Sequence, residues 1–169
     1  NFSLERFKQI CASINLNYAK ILNNIVFLRP ASFEEQKKTL EKLKDLINNK
    51  IGLVIIDSIA MLYRLELGKN EDIYEVNREL GKQLAYLKEI ASKKNIPVLV
   101  TNQVYADFED KTKINLVGGD ILKYASKCLI ELQRTDKTKK AILRKHRSIE
   151  EGKEIEFTIK DQGIIEVEK

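Results

Sequence analysis

Two stretches of unbroken apolar residues, "GLVII" at Gly52–Ile56 and "IPVLVT" at Ile96–Thr101, flank a long tract whose apolar residues recur at helical spacing. A strand that is apolar at every position has no face to give to water, so it belongs in a sheet covered on both sides. Strands of this kind joined through helices predict a parallel sheet. The tract Ile73–Lys94 keeps Ile73, Val76, Leu80, Leu84, Leu87 and Ile90 on one side. Upstream, Ser32 followed by Glu35 reads as a capping box that opens a helix, with Gln36, Leu40, Leu43, Leu46 and Ile47 facing inward. Phe2, Leu4, Phe7, Ile10, Cys11 and Ile14 predict an N-terminal helix capped by Ser3, and "IVFLRP" a short strand stopped by Pro30. Past Gly118 the rhythm changes. "SKCLIELQ", "KKAILRKHR", "KEIEFTIK" and "GIIEVE" read as strands in succession, with "RTDKTK" and "KDQG" as hairpin connections.

Composition narrows the classes of function. The 169 residues suffice for one domain with a real core, and 43% hydrophobic with 33% charged residues excludes a disordered chain. No apolar run approaches the ~20 residues that span a bilayer, so no membrane partner is expected. Cys11 and Cys128 lack metal-type spacing, which fits a reducing compartment and predicts a cytoplasmic location. The net charge of +5 permits contact with nucleic acid without requiring it. The sequence opens on Asn rather than Met, so further sequence is expected upstream.

A single acid, Asp57, closes the first apolar strand. Open parallel sheets bind ligands beyond the carboxyl ends of their strands. Phosphate chemistry there uses a carboxylate to hold Mg²⁺, usually through water. The other reading is an Asp that caps a helix beginning near Ser58. The second strand end favours the first reading, because Asn102 and Gln103 would lie beside a γ-phosphate or an attacking water.

The order of these features resembles a known family. "LVIIDS", a long helix, "VLVTNQV", a variable loop, "GGDILKYAS" and terminal hairpins are similar to the ATPase core of the RecA-type recombinases. "DSIAMLYRLE", "RELGKQL", "NQVYAD" and "ILRKHRSIEEG" resemble the RadB branch, the short archaeal paralogues of RadA made of the core alone. The resemblance covers essentially the whole chain. It implies one RecA-like α/β core over residues 1–169, with a central parallel sheet flanked by helices and C-terminal antiparallel β-hairpins. Its cofactors would be ATP and Mg²⁺. The family's G-x-x-x-x-G-K-[ST] phosphate loop does not occur in these residues. The opening "NFSLERFKQI" resembles the segment after the strand that supplies the family's catalytic glutamate. The resemblance therefore predicts that the core is N-terminally incomplete here, without phosphate loop and glutamate, and that this chain alone is not an active ATPase.

By the same resemblance Asp57 holds the Mg²⁺ shell, Ser58 supports it, and Gln103 senses the γ-phosphate and passes that state into the loop Val104–Val117. Asn102 anchors the strand end. Gly118 and Gly119 let the chain turn into a helix beginning near Asp120. In recombinases that loop touches DNA, expected here as single-stranded DNA. Tyr105 and Phe108 could stack on bases or pack onto their own domain, and Lys111 and Lys113 could meet phosphates. Against them stand Asp107, Glu109 and Asp110, which leave the loop at a net charge of −1. A second DNA-contacting candidate is the stretch Leu65–Asp72 after Arg64, with Lys69 and Asn70. Arg64 could equally neutralise a nearby acid.

The densest positive charge lies elsewhere: Arg134, Lys137, Lys139, Lys140, Arg144, Lys145 and Arg147 against Asp136 alone. Arg134, Lys137, Lys139 and Lys140 read either as a solvated face or as DNA-phosphate contacts. "KHR" resembles a Lys-x-Arg pattern of RecA-fold ATPases, in which two residues on one strand face reach a neighbouring subunit's nucleotide. Lys145 and Arg147 would act in trans in a homo-oligomer, and His146 would be structural. Three readings follow. The first is an accessory protein of DNA repair and homologous recombination that binds ATP and DNA and regulates strand exchange or junction processing, with a RadA-like recombinase or junction nuclease as partner. The second is a RecA-fold regulatory ATPase outside recombination, and the third a non-enzymatic interaction module.

Overall fold

A computed structural model describes residues 2–69, 72–106 and 114–167. They divide into two units, Leu28–Ser126 and a second built from both ends of the chain, up to Phe27 and from Lys127.

In the first unit the two apolar stretches pair as predicted. Strand β1 (Val54–Ile56) runs parallel to β2 (Val98–Val100), with Val54 opposite Val98 and Ile56 opposite Val100. Helix α3 (Phe33–Leu46) opens on the predicted capping box: the Ser32 hydroxyl accepts from the Glu35 amide, and the Glu35 carboxylate accepts from the Ala31 amide. After β1 come α4 (Ala60–Leu67) and α5 (Ile73–Lys94), which ends on Asn95 in the left-handed region. Val54, Ile56, Val98 and Val100 pack against a core from these helices, centred on Ile59, Leu80, Leu84 and Leu87. Gln36 and Gln83 are buried in the same core. The Gln36 carboxamide donates to the Ile59 carbonyl and to the Gln83 side-chain oxygen, so one amide group satisfies two buried acceptors just behind the end of β1.

Two expectations are corrected here. The sheet is covered on one face: Ile55 and Leu99 point away from the helices and remain 58% and 54% exposed. Residues 25–30, "IVFLRP", form no strand, because among the described residues none pairs with them and a ladder needs a partner. Two side chains also leave their predicted faces. Leu46 and Ile73 stand at helix ends beyond the reach of the core and are 48% and 58% exposed. The predicted loop after Gln103 is framed by an antiparallel pair, β3 (Val104–Ala106) and β4 (Ile114–Leu116), with Val104 opposite Leu116. Gly118, at φ +84°, then starts α6 (Gly119–Ala125), near the predicted position.

In the other unit α1 (Leu4–Ser13) begins at Ser3, whose hydroxyl accepts from the Arg6 amide, and is followed by the short α2 (Tyr18–Leu22). The C-terminal strands form one antiparallel sheet in the order β5 (Leu129–Arg134), β6 (Lys139–Lys145), β7 (Glu154–Lys160) and β8 (Gly163–Glu166). Both predicted hairpin connections are present. Thr135 and Thr138 bond to each other across the first, and Gly163, at φ +117°, follows the second. Helix α1 lies on β8. Arg6 donates to the carbonyls of Lys160 and Asp161, and the Ser13 hydroxyl donates to that of Gln162.

Candidate nucleotide site at the strand ends

The chain leaves β1 through a turn at residues 57–59, with a cis peptide between Asp57 and Ser58. The backbone of β2 fixes that turn. The Thr101 amide donates to the Ile56 carbonyl at 3.0 Å, and the Ile59 amide donates to the Thr101 carbonyl at 3.3 Å. Asp57 stands exposed at the carboxyl end of β1, and its Oδ1 accepts from the Thr101 hydroxyl at 2.6 Å. The helix-cap reading is corrected: α4 begins at Ala60, and no side chain caps it. No cation pairs with Asp57 among the described residues, and its second oxygen accepts from none of them. An open, oriented carboxylate with one oxygen free fits the outer shell of Mg²⁺, which keeps several waters and takes few protein ligands. Among the described residues no cluster of three or more His, Cys, Asp or Glu could enclose a metal by itself. Ser58 is half-buried in the same turn.

Gln103 follows β2 by three residues and is exposed. Its carbonyl accepts from the Val117 amide at 3.1 Å, while the Asn102 side chain donates to the Val117 carbonyl at 2.8 Å. Asn102 thus anchors the strand end, as predicted, by tying it to the base of the β3–β4 pair. The Asn102 side-chain oxygen is buried with no partner among the described residues. The Gln103 side chain is held as well: its Oε1 accepts from the Arg64 guanidinium at 2.9 Å. Arg64 projects from α4 between the buried Leu62 and Tyr63 on one side and the last turn of the helix on the other. The Tyr63 hydroxyl bonds to Asn77 on α5. Burial raises the Tyr63 phenol above its ordinary pKa, and the nearby Tyr105 phenol on β3 adds to the rise.

The structure thus groups Asp57, Ser58, Arg64, Thr101 and Gln103 around two parallel strand ends. Thr101 and the Arg64 contact were not read from the sequence. The register would have found Thr101, since pairing Ile56 with Val100 puts the next residue of β2 beside Asp57. Tyr105 is exposed on β3, and Lys69 is exposed just past α4. Phe108, Lys111 and Lys113 lie outside the described residues.

The basic candidates belong to the other unit. Arg134 and Lys139 face each other across the β5–β6 hairpin, with Lys137 in its exposed connection. The hairpin is less positive than its sequence suggests. Lys140 pairs with Glu154 at 2.9 Å and Arg144 with Glu131 at 2.5 Å. Burial pushes the Glu131 carboxyl up, but hydrogen bonds from Gln133 and Arg144 outweigh it and leave the carboxyl below the usual range. The shared strand face expected for Lys145 and Arg147 is corrected. Leu129 faces Lys145 while Ile130 faces Leu143, so Arg144 is the extra residue of a bulge, and β6 ends at Lys145. The His146 ring then accepts at Nδ1 from the amides of Ser148 and Ile149, bending the chain at once. Arg147 stands exposed on that bend, and His146 is structural in this sense.

Comparison with known proteins agrees with this architecture. The Rad51 family matches residues 1–167. A DNA repair and recombination protein RadB of Methanobrevibacter smithii is 40% identical over 170 residues, which cover 96% of this chain and 70% of that protein. A protein of the same name from Methanococcus maripaludis strain C7 is 41% identical over 165 residues, covering 97% and 73%. The crystal structure of the RadB recombinase superposes with a TM-score of 0.81 at 34% identity, covering 99% of this chain and 74% of that one. With that match along nearly its whole length, the chain belongs to the Rad51 family, in its RadB group, and its strands and helices are those of the RecA-like core.

Proposed function

We propose that this chain serves DNA repair and recombination as a RadB-type accessory protein whose nucleotide state governs its hold on DNA. The observation that carries the reading is the meeting of an unpaired carboxylate, Asp57, and a polar sensor amide, Gln103, at the carboxyl ends of two adjacent parallel strands. In this reading ATP and Mg²⁺ are the cofactors, and the bound metal neutralises phosphate charge. Asp57 orients the metal's water shell, with Thr101 fixing the carboxylate and Ser58 lining the turn. Gln103 donates its amide to the γ-phosphate. No phosphate-loop motif occurs in these 169 residues, so the other phosphates take no ligand from this reading.

DNA, in single-stranded form, is the proposed macromolecular ligand, met by Arg64, Lys69 and Tyr105 near the sensor. Arg134, Lys137 and Lys139 are further candidates, more so than Lys140, which Glu154 already pairs. Lys145 and Arg147 would act on a neighbouring copy's nucleotide in a homo-oligomer, and a RadA-like recombinase or a junction nuclease would be the protein partner. Two free cysteines accord with a cytoplasmic setting, and among the described residues no helix is long and apolar enough to cross a membrane.

The test is Asp57→Asn in the protein expressed from its whole reading frame, read by titration with a fluorescent ATP analogue. Affinity in the presence of Mg²⁺ should fall by about 10–100-fold, while binding without Mg²⁺ changes little. Melting temperature should hold, because Asp57 caps no helix. Undiminished Mg²⁺-dependent binding would sink the nucleotide assignment.

A further inference from the structure

The Arg64 to Gln103 hydrogen bond joins two side chains with separate expected tasks, Gln103 at the nucleotide and Arg64 at DNA. Both are exposed, and both are carried by fixed backbone. Arg64 rises from a helix whose neighbouring residues Leu62 and Tyr63 are buried, and the main chain of Gln103 is bonded to Val117. A carboxamide has one oxygen and one NH₂ group. With Oε1 occupied by the guanidinium, the group left to face solvent or ligand is Nε2, the donor that a phosphate oxygen requires. The guanidinium has five N–H donors in a rigid plane and gives one of them to Gln103. No other described residue engages it, so its remaining donors can take a second anion.

We infer that Arg64 is a positioning residue that bridges the sensor amide of Gln103 to a backbone phosphate of single-stranded nucleic acid. The inference rests on the proposed role of Gln103 toward the γ-phosphate. A phosphate held by the outer edge of Arg64 fixes the guanidinium, and this in turn fixes Gln103 with Nε2 turned toward the nucleotide. A nucleotide that immobilises Gln103 likewise restrains Arg64 for the strand. Each ligand therefore strengthens the other by the same factor, as linkage demands. The path runs through α4 and one side-chain contact, and it does not require the loop between β3 and β4 to move.

The experiment closes a four-way binding cycle on the protein expressed from its whole reading frame. A fluorescein-labelled oligo-dT is titrated with and without a non-hydrolysable ATP analogue plus Mg²⁺, and a fluorescent analogue is titrated with and without unlabelled oligo-dT. The parent protein should show a reciprocal enhancement of about 5–10-fold. Arg64→Ala should bring that factor to about one and reduce the salt dependence of oligo-dT binding by about 0.7 in log–log slope, the loss of one single-strand phosphate contact. Gln103→Ala should lose the enhancement and keep the slope. Arg64→Lys should keep the slope, since the charge remains, and lose most of the enhancement, because an ammonium lacks the planar fork. Retention of the enhancement in Arg64→Ala or Arg64→Lys overturns the bridge, as does a parent protein that binds both ligands independently. Retained enhancement in either variant leaves the proposed function standing so long as Asp57→Asn weakens Mg²⁺-dependent binding, whereas independent binding by the parent also overturns nucleotide control of DNA. If Asp57→Asn binds as the parent does, the function itself fails.

Discussion

Gly118 turns the chain from β4 into α6 at φ +84°, a region that a side chain makes costly. A Cβ built there would stand 3.0 Å from methyl groups of both Leu122 and Leu80, the latter fully buried. Left-handed strain and overpacking therefore act together, and Gly118→Ala should lower stability by about 2–4 kcal/mol in urea denaturation. Gly119, at φ +55° with open space around its Cα, should cost only the first part, about 1–2 kcal/mol. Equal losses at both positions would show that contact with Leu80 and Leu122 is unimportant. At this scale the place of Asp57 at a strand end was legible, because an apolar run of strand length stops at that acid. Thr101 was not, because hydroxyls at strand ends are common and its value depends on a register that the sequence does not print. The bond between Arg64 and Gln103, 39 positions apart, lies beyond any local pattern.

Among the elements, α5 shows both the strength and the limit of periodicity. Its spacing marked one apolar face, and Val76, Leu80, Leu84, Leu87 and Ile90 are buried on it. Ile73 keeps the period but stands in the first turn, past the core. Leu80→Ala should cost about 2–5 kcal/mol, whereas Ile73→Ala should change stability by no more than about 0.5 kcal/mol. A comparable loss at both sites would mean that period alone decides. The strand predicted at residues 25–30 failed for a different reason, since apolar composition proposes a strand but only a neighbour makes one. In the C-terminal sheet the four strands were legible, as were the β5–β6 and β7–β8 turns, which carry their own signals between alternating runs, while the connection from β6 to β7 was not read as a turn. The bulge at Arg144 has no such signal, and neither has the bend held by the His146 ring, which ends β6 at Lys145 and takes Arg147 off the strand. Glu131 makes this sheet sensitive to acid. Its carboxyl is depressed by the fold, so its contribution is complete above the unfolded value near pH 4.3 and is lost as pH falls through the folded value. Glu131→Gln protein should accordingly lose less stability than the parent between about pH 5 and pH 3, measured by denaturant midpoints.

For the whole molecule, the placement of Lys145 and Arg147 calls for a test between copies. If these residues act on a neighbour's nucleotide, mixing Arg147→Ala protein with Asp57→Asn protein should restore part of the ATPase activity that each has lost, since some interfaces then pair an intact Arg147 with an intact Asp57. Mixtures with only the sum of the two separate activities would leave both as ordinary surface charges. The two units also differ in how their chain is gathered. Leu28–Ser126 is one continuous run, but the other unit joins α1 to strands at the far end of the sequence. Arg6 and Ser13 find their carbonyl partners at separations of 154, 155 and 149 residues. On a ribosome that adds about 5–20 residues per second, α1 waits roughly 8–30 s for β8 to be made. The continuous unit can meanwhile close contacts that are already present. Order in time thus follows from where Arg6 finds its acceptors, and nascent chains halted before residue 127 should already protect the amides around Leu80 and Leu84 from exchange while those of α1 still exchange freely.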